Sequence, residues 1–561
     1  MFERPLLQDN IWENLWNFNR TYLISRQWPL YLGVLFVVLL TAIVLLRKYL
    51  RNDRLYQGAF SDKIYAFDAH NIGHILALSG IVLAVVLTDI YMLIGENSLF
   101  ENYDLMAINT TRSMRFGLVA SFDYIRVIPL ASWYLSTLYA VTQNIIAIKA
   151  FVLLQTMLMV WALYAFFNYI PVVKRSIMIA LLLITPTILQ TANIIFPERD
   201  MVIVLMLGLI CARKYVLSHK VKWAADFIFF LNVAMYTKET CITFYFGVLL
   251  TSIVYNVLIG KIDLNNMIRP WQIIKFMPLE FLMGLSLLGY LITYTSLQSG
   301  DNFYVSANQQ PLLEQLINYR METIVLLIAL GMALYQMIKN YNTDKNPFLS
   351  SGLLIGALCS GLLVVVILRL SPSTPHLVGR SYYMLVSMIF AWAYLFEKIS
   401  NKLVLGALSA IVLIYSLAMN INYKLAEKGP YYRDVAEFMA DNSTTSKPTA
   451  IFLQEGPYAT KILWQWIVET WATSYRYYFN DRVFLFKSDA HHLDRSIIQK
   501  MNLYRRLPMI YFPIITQPMP LEGDWVIINK NNHSTKADIL RKEYKDKLVH
   551  ENALFEIYEP K

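Results

Sequence analysis

Residues 73–94, GHILALSGIVLAVVLTDIYMLI from Gly73 to Ile94, decide what kind of protein this chain is. The run is long enough to cross a hydrocarbon layer as a helix, which takes roughly 17–25 apolar residues. Near its exit sits one carboxylate, Asp89, in Val86-Leu87-Thr88-Asp89-Ile90-Tyr91. An acid at membrane depth costs roughly 2.5–3.5 kcal/mol on insertion scales, so such residues face protein or a water-filled cavity and mark function.

Working outward, similar apolar runs recur at 29–46, 147–168, 176–195, 200–212, 223–237, 241–259, 274–294, 321–338, 352–370, 382–396 and 403–419. Two of them, 200–212 and 223–237, are short, and the expectation there is a tilted, re-entrant or partly broken span. The chain is 57% hydrophobic and 16% charged, with a mean hydropathy of +0.43. A soluble domain carries about 25% charged residues. The fold expected is therefore a polytopic α-helical membrane protein of about 12 transmembrane helices.

The formal net charge of +10 would suit a nucleic-acid binder, but the placement of the basic residues argues otherwise. They alternate between loops. Arg47, Lys48, Arg51, Arg54 and Lys63 fall in one; Lys174 and Arg175, Arg213 to Lys222, Lys261 and Arg269, Lys339 and Lys345, and Lys398 and Lys402 fall in others of the same set. The intervening loops are poorer, and the positive-inside rule then assigns the rich set to the cytoplasm. Asp89, the tail after 420 and the N-terminus are expected on the other side. Cys211, Cys241 and Cys359 all lie in or beside spans and form no disulfide framework. The first span is too long for a cleaved signal peptide. No internal repeat is visible, which counts against transporters built from duplicated halves.

Between 95 and 146 the chain is not a span. Leu130, Trp133, Tyr134, Leu138, Val141 and Ile145 recur at helical spacing, as in an amphipathic helix lying in the interface. After Asn420 the composition turns charged. Strand-like runs at 449–453, 483–487, 508–512 and 524–529 alternate with helical patterns at 431–440, 457–470 and 534–547, which reads as a small C-terminal α/β domain. The expected division is an N-terminal arm with an extra transmembrane helix and cytoplasmic loop (1–72), a membrane region (73–420) and an extracytoplasmic unit (421–561).

Several short motifs fall on the predicted outer side. They are Asp89-x-Tyr91-x-Leu93, Ser98-Leu99-Phe100, Arg126-Val127-Ile128-Pro129-Leu130, Phe196-Pro197-Glu198-Arg199, Thr237-Lys238-Glu239-Thr240 and Gly379-Arg380-Ser381-Tyr382-Tyr383. In their order and common sidedness the chain resembles the GT-C membrane glycosyltransferases, which include the protein O-mannosyltransferase and aminoarabinose-transferase branches. The resemblance implies an inverting enzyme that moves a sugar from a polyprenyl-phosphate donor to a glycan, lipid or protein acceptor at the extracytoplasmic face of a bacterial inner (plasma) membrane, in cell-envelope glycan biosynthesis. Many members of that family carry paired acids in the first outer loop. Here Thr88 precedes Asp89, so Asp89, Glu101 and Asp104 all stand as candidate catalytic acids.

The chemistry fits these residue types. An attacking hydroxyl must lose its proton, which asks for a carboxylate base within hydrogen-bond reach, and Asp89 is the first candidate. Charge builds on the leaving phosphate, where fixed cations or a divalent metal ion (Mg or Mn) stabilise it. Arg380, Lys238 and Arg126 are the candidate phosphate ligands, and Tyr91, Glu198 and Glu239 the candidate substrate contacts. Each has a structural alternative: a helix-end cap for Asp89, a snorkelling span-end arginine for Arg380, an ion pair for Lys238, a helix N-terminal carboxylate for Glu198. A rival function is a transporter or lipid-linked sugar flippase with Asp89 as its coupling carboxylate. Such a protein is expected to hold its charges in mid-span, whereas here they cluster at span ends. A glycan polymerase or ligase would concentrate arginine and histidine in one large outer loop, and here they are scattered.

Overall fold

The structure, a computed structural model, describes residues 28–53, 63–94, 145–186, 188, 197–238, 240–258, 270–297, 320–340, 354–361, 363, 385–425, 429–444, 449–454, 484–488 and 515–561. The helices run in the order α1 (Trp28–Arg51), α2 (Ile72–Ile94), α3 (Ile145–Phe166), α4 (Val172–Ile184), α5 (Pro197–Ser218), α6 (Val221–Thr237), α7 (Cys241–Leu258), α8 (Pro270–Phe276), α9 (Pro278–Leu297), α10 (Arg320–Asn340), α11 (Leu385–Lys398) and α12 (Lys402–Leu425). Of these, Leu30–Arg51, Glu198–Ser218 and Lys402–Met419 are each long and apolar enough to cross a membrane. The outward sides of α1 and α12 expose Leu30, Val37, Leu45, Leu403, Ile411 and Ile414. Such apolar faces suit lipid rather than water. Inside, one continuous apolar core joins residues of α1 through α12.

The runs 200–212 and 223–237 are not broken. α5 is a 22-residue helix, about 33 Å long at 1.5 Å per residue. α6 adds 17 residues. The apolar run looked short because Glu198, Arg199, Asp200, Arg213 and Lys214 lie within the helix at its two ends. α5 is also central, with 67% of its apolar window buried. α5 and α6 pack as a hairpin and approach closely at Gly208, where a Cβ would stand 3.3 Å from Phe230 Cβ. The turn between them holds His219 at φ 51°, the left-handed region that a side chain disfavours. Within the 176–195 run α4 stops at Ile184, because Pro186 follows and biases Thr185 to an extended backbone; Pro186 and Ile188 are again helical, and 187 and 189–195 lie outside the described residues. Of the 352–370 run, residues 354–361 and 363 are helical. They cross α7 with backbones in contact: a Cβ on Gly247 would lie 2.5 Å from the Gly356 carbonyl oxygen. The interfacial helix expected within 95–146 lies outside the described residues, except where its end runs into α3.

Side-chain contacts reveal which helix ends meet. Arg213 of α5 bonds to Asn168 and to the Phe166 carbonyl at the end of α3. Arg175, opening α4, donates to the Tyr65 carbonyl at 3.2 Å. Tyr215 donates to the Leu50 carbonyl at 2.8 Å, and Lys174 to the Ile399 carbonyl at 2.7 Å. Gly73 of α2 faces Val173 of α4. All of these residues belong to one end of the helix assembly, the end of the basic-rich loops. The start of α5 and the C-terminal turns of α2 therefore share the opposite end.

After α12 comes α13 (Gly429–Asp441), then strands β1 (Thr449–Gln454), β2 (Phe484–Ser488), β3 (Ile515–Thr516) and β4 (Trp525–Asn529), helix α14 (Thr535–Glu543), and strands β5 (Leu548–Glu551) and β6 (Phe555–Tyr558). They form one sheet in the order β3-β2-β1-β4-β6-β5. The first four strands are parallel, β6 is antiparallel to β4, and β5 to β6. The predicted strand runs at 449–453, 483–487 and 524–529 appear as β1, β2 and β4, while 508–512 lies outside the described residues. Phe452, Val526 and Ile528 pack under Ala537, Leu540 and Tyr544 of the α14 segment. α13 joins the sheet through Asp434, whose Oδ2 lies 2.7 Å from His550 Nε2 and accepts from Asn552 Nδ2 at 2.8 Å.

Candidate functional site

Charged side chains collect where α5 begins and α6 ends. Lys238 Nζ lies 2.7 Å from Glu198 Oε1, with both side chains almost wholly out of solvent, at 2% and 0% exposure. Glu198 Oε1 thus faces the ammonium, while its other buried carboxylate oxygen, Oε2, has no hydrogen-bond partner among the described residues. One residue on, Arg199 donates from Nη2 to Gln155 Oε1 at 2.8 Å, and Gln155 Nε2 donates to Asp200 Oδ1 at 2.6 Å. Arg199, Asp200 and Gln155 are all buried. Thr240 Oγ1 points to Met201 Sδ at 3.5 Å, closing α7's entry against α5.

The sequence dictates much of this. Pro197 is pre-organised for a first helical position. Glu198 and Asp200 then fall in the first turn, where the positive end of the helix dipole favours carboxylates. Two acids and two bases leave the group Glu198, Arg199, Asp200 and Lys238 formally neutral, as burial requires. Gln155 bridges Arg199 and Asp200 because an amide offers both a donor and an acceptor.

Of the sequence-predicted site residues, Glu198 and Lys238 are brought together. Asp89 and Tyr91 lie in the last two turns of α2, at the helix end that the start of α5 also occupies. Glu101, Asp104, Arg126, Glu239 and Arg380 lie outside the described residues. Sequence reasoning missed Gln155, Arg199 and Asp200 as members of the cluster. Gln155 carried a signal, as a lone amide inside an apolar run. Among the described residues no group of three or more His, Cys, Asp or Glu side chains could hold a metal ion. The described part of the cluster supplies two carboxylates already matched by two cations, so it does not by itself fit a divalent ion.

No protein-family model matches the chain, and no curated protein matches it in sequence. Among solved structures it is similar to the crystal structure of ArnT from Cupriavidus metallidurans bound to undecaprenyl phosphate, which covers 85% of this chain and 97% of its own at 12% identity and a TM-score of 0.45. At that level residue correspondence is not set, and no residue's role passes from that protein to this one.

Proposed function

We propose that the chain is an integral-membrane glycosyltransferase of the GT-C type, moving a sugar from a polyprenyl-phosphate donor to an acceptor outside the cytoplasm. The observation that supports this reading is the meeting of two separate sequence motifs, through Glu198 and Lys238, in a buried cluster at the helix end that also carries Asp89. A buried carboxylate oxygen left without a hydrogen-bond partner, as Glu198 Oε2 is among the described residues, is costly to keep and asks for an explanation, of which a bound ligand is one. Glu198 has the acceptor capacity that a sugar or acceptor hydroxyl would fill. Lys238 would share its ammonium, which has three donors, between Glu198 and the donor phosphate.

In the reaction, Asp89 removes the proton from the acceptor hydroxyl as that oxygen bonds to the anomeric carbon, inverting it. The bond from that carbon to the phosphate oxygen breaks, and the electron pair leaves with the polyprenyl phosphate. Glu101 and Asp104 are the alternative bases, and Arg380 and Arg126 the further phosphate ligands. Tyr91 and Glu239 join Glu198 against the substrate. Neutralisation of the phosphate by a divalent cation, Mg or Mn, would need carboxylates other than Glu198 and Asp200 to hold it. The unit from 421 to 561 is a separate extracytoplasmic α/β domain in this reading.

The test uses the full chain in lipid nanodiscs with synthetic polyprenyl-phosphate mannose, glucose and aminoarabinose, in the presence of a cell-envelope extract as acceptor source. Release of polyprenyl phosphate is followed by mass spectrometry. Turnover of at least one donor is expected, and its loss in Asp89→Asn. If all three donors persist while the protein keeps its helical signal and melting transition, the reading fails.

A further inference from the structure

The sheet contains a place the membrane site does not use. In a mostly parallel sheet, ligands bind outside the carboxyl ends of the strands where the strand order reverses. Here that point lies between β1 and β4. From β1 the chain goes to β2 and β3 on one side, and from β4 it goes to β6 and β5 on the other. The strands that follow β1 and β4 in the chain lie on opposite sides of this pair, which makes it the reversal point of the sheet.

The residues at that point are amides. β1 ends on Gln454 and β4 on Asn529, and Asn532 follows in the turn; all three are more than nine-tenths buried. Asn532 Nδ2 reaches the Gln454 carbonyl at 3.4 Å and Gln454 Oε1 at 3.5 Å, at the outer limit of hydrogen bonding. Contacts that long are weak and readily exchanged for a ligand hydroxyl. The Gln454 amide nitrogen makes no hydrogen bond at all among the described residues. The N-terminus of α14, capped by Ser534 Oγ, stands beside this point.

The charges nearby decide the class of ligand. Lys530 is paired with Glu551 at 3.0 Å, Arg541 with Glu556 at 2.8 Å, and Lys536 bonds to the Pro518 carbonyl. Asp538 adds a negative charge in the first turn of α14. The described cations are thus engaged and the helix start is partly neutralised, which disfavours a phosphate. Asn529 Oδ1 and Asn532 Oδ1 already accept from the Asn531 and Ser534 backbone N–H groups at 2.9 and 3.1 Å. The groups offered to a ligand are therefore the Gln454 amide and the weakly held Asn532 Nδ2, donors and an acceptor that match the vicinal hydroxyls of a neutral sugar. We propose that the β1–β4 switch point is a saccharide-binding site, distinct from the Glu198–Lys238 cluster and holding a neutral, hydroxyl-rich glycan. The proposal does not need the transferase reading, although it would give that enzyme its hold on a glycan acceptor.

The experiment is hydrogen–deuterium exchange on the full chain in nanodiscs, with methyl α-mannoside, methyl β-glucoside, methyl β-galactoside and N-acetylglucosamine added one at a time in excess. At least one sugar is expected to slow exchange in 449–454 and 525–537. Gln454→Met, which keeps the volume and removes the amide, should weaken that sugar's binding by about tenfold, the scale of a hydrogen bond lost to a neutral partner. Protection by none of the four sugars overturns the proposal, as does protection confined to α5 and α6. So does binding within about twofold of the parent in Gln454→Met. The exchange experiment on the unsubstituted chain decides the matter even if the variant does not fold. Sugar protection in a protein that turns over no donor would keep this site while the transferase reading falls.

Discussion

Glu198→Gln leaves the Lys238 ammonium facing a neutral amide where water does not reach, and removing one partner of such a pair costs about 3–5 kcal/mol. Lys238→Met does the same to the carboxylate. The double variant, with neither charge, is expected to recover much of the loss, because desolvation then has nothing left to penalise. Thermal unfolding of the three variants in one detergent measures this coupling; strictly additive losses would show that the two charges do not sense each other. Asp89→Asn is expected to keep the parent melting temperature and to lower donor turnover by about 10²- to 10⁴-fold, the usual contribution of a positioned base. Arg199 is not interchangeable with lysine, since its fork lies against Gln155 at a fixed distance. At this scale the sequence was legible where charge was out of place: Glu198 and Lys238 both stood out as ions beside apolar runs, and the structure pairs them. The partner of Lys238 was not legible, because the near neighbour in the chain was Glu239 and the pairing with Glu198 depends on how α5 and α6 fold back. Gln155 did carry a signal, as a lone amide in an apolar helix, but one residue names no partner, and its place between Arg199 and Asp200 depends on how α3 packs against α5.

Among the elements, the crossing of α7 with the helical residues 354–361 rests on two glycines. Gly356→Ala would set a Cβ 2.7 Å from Val248 Cα and 2.8 Å from the Gly247 carbonyl oxygen, both backbone atoms that cannot swing aside. Overpacking of this kind costs about 1–3 kcal/mol. Gly406→Ala, where nothing lies within 4 Å, should be tolerated, and comparing the two melting temperatures tests the crossing. In the hairpin turn, His219→Gly relieves a left-handed backbone and is expected to be neutral or stabilising. Within the sheet, Tyr558 is buried and donates to Glu556 at 3.1 Å. Burial, then the Glu556 charge, pushes its phenol up to about 12. The folded chain thus holds this proton where the unfolded chain has lost it, so stability is fully present below about pH 10 and falls as pH rises toward 12. Tyr558→Phe should flatten that part of the alkaline unfolding profile. Helix starts and stops were readable where proline or a charge marked them, as at Pro197, although the break that Pro186 imposes after Ile184 was passed over. The full length of α5 was not readable, because hydropathy cannot tell a charge that ends a helix from a buried charge inside one.

For the whole molecule, alternation of basic and neutral loops set an orientation, and the contacts among Arg213, Arg175, Tyr215 and Lys174 gather the basic ends together. Exposed positions offer the test. A cysteine at Asn531 should react with a membrane-impermeant maleimide in intact spheroplasts, and one at Lys220 only after permeabilisation; the reverse pattern would invert the assignment. The order of strands in the sheet could not be foreseen, since parallel neighbours such as β1 and β4 are paired by contacts far apart in the chain.

The α5–α6 hairpin also bears on how a cell makes this protein. Glu198 leaves the ribosome well before Lys238, and each ion alone resists partitioning from the translocation channel into lipid. Neutralisation arrives only once both helices are present side by side. The two segments are therefore best released into the bilayer as one unit, and a stalled chain ending between them would remain at the channel rather than settle among lipids.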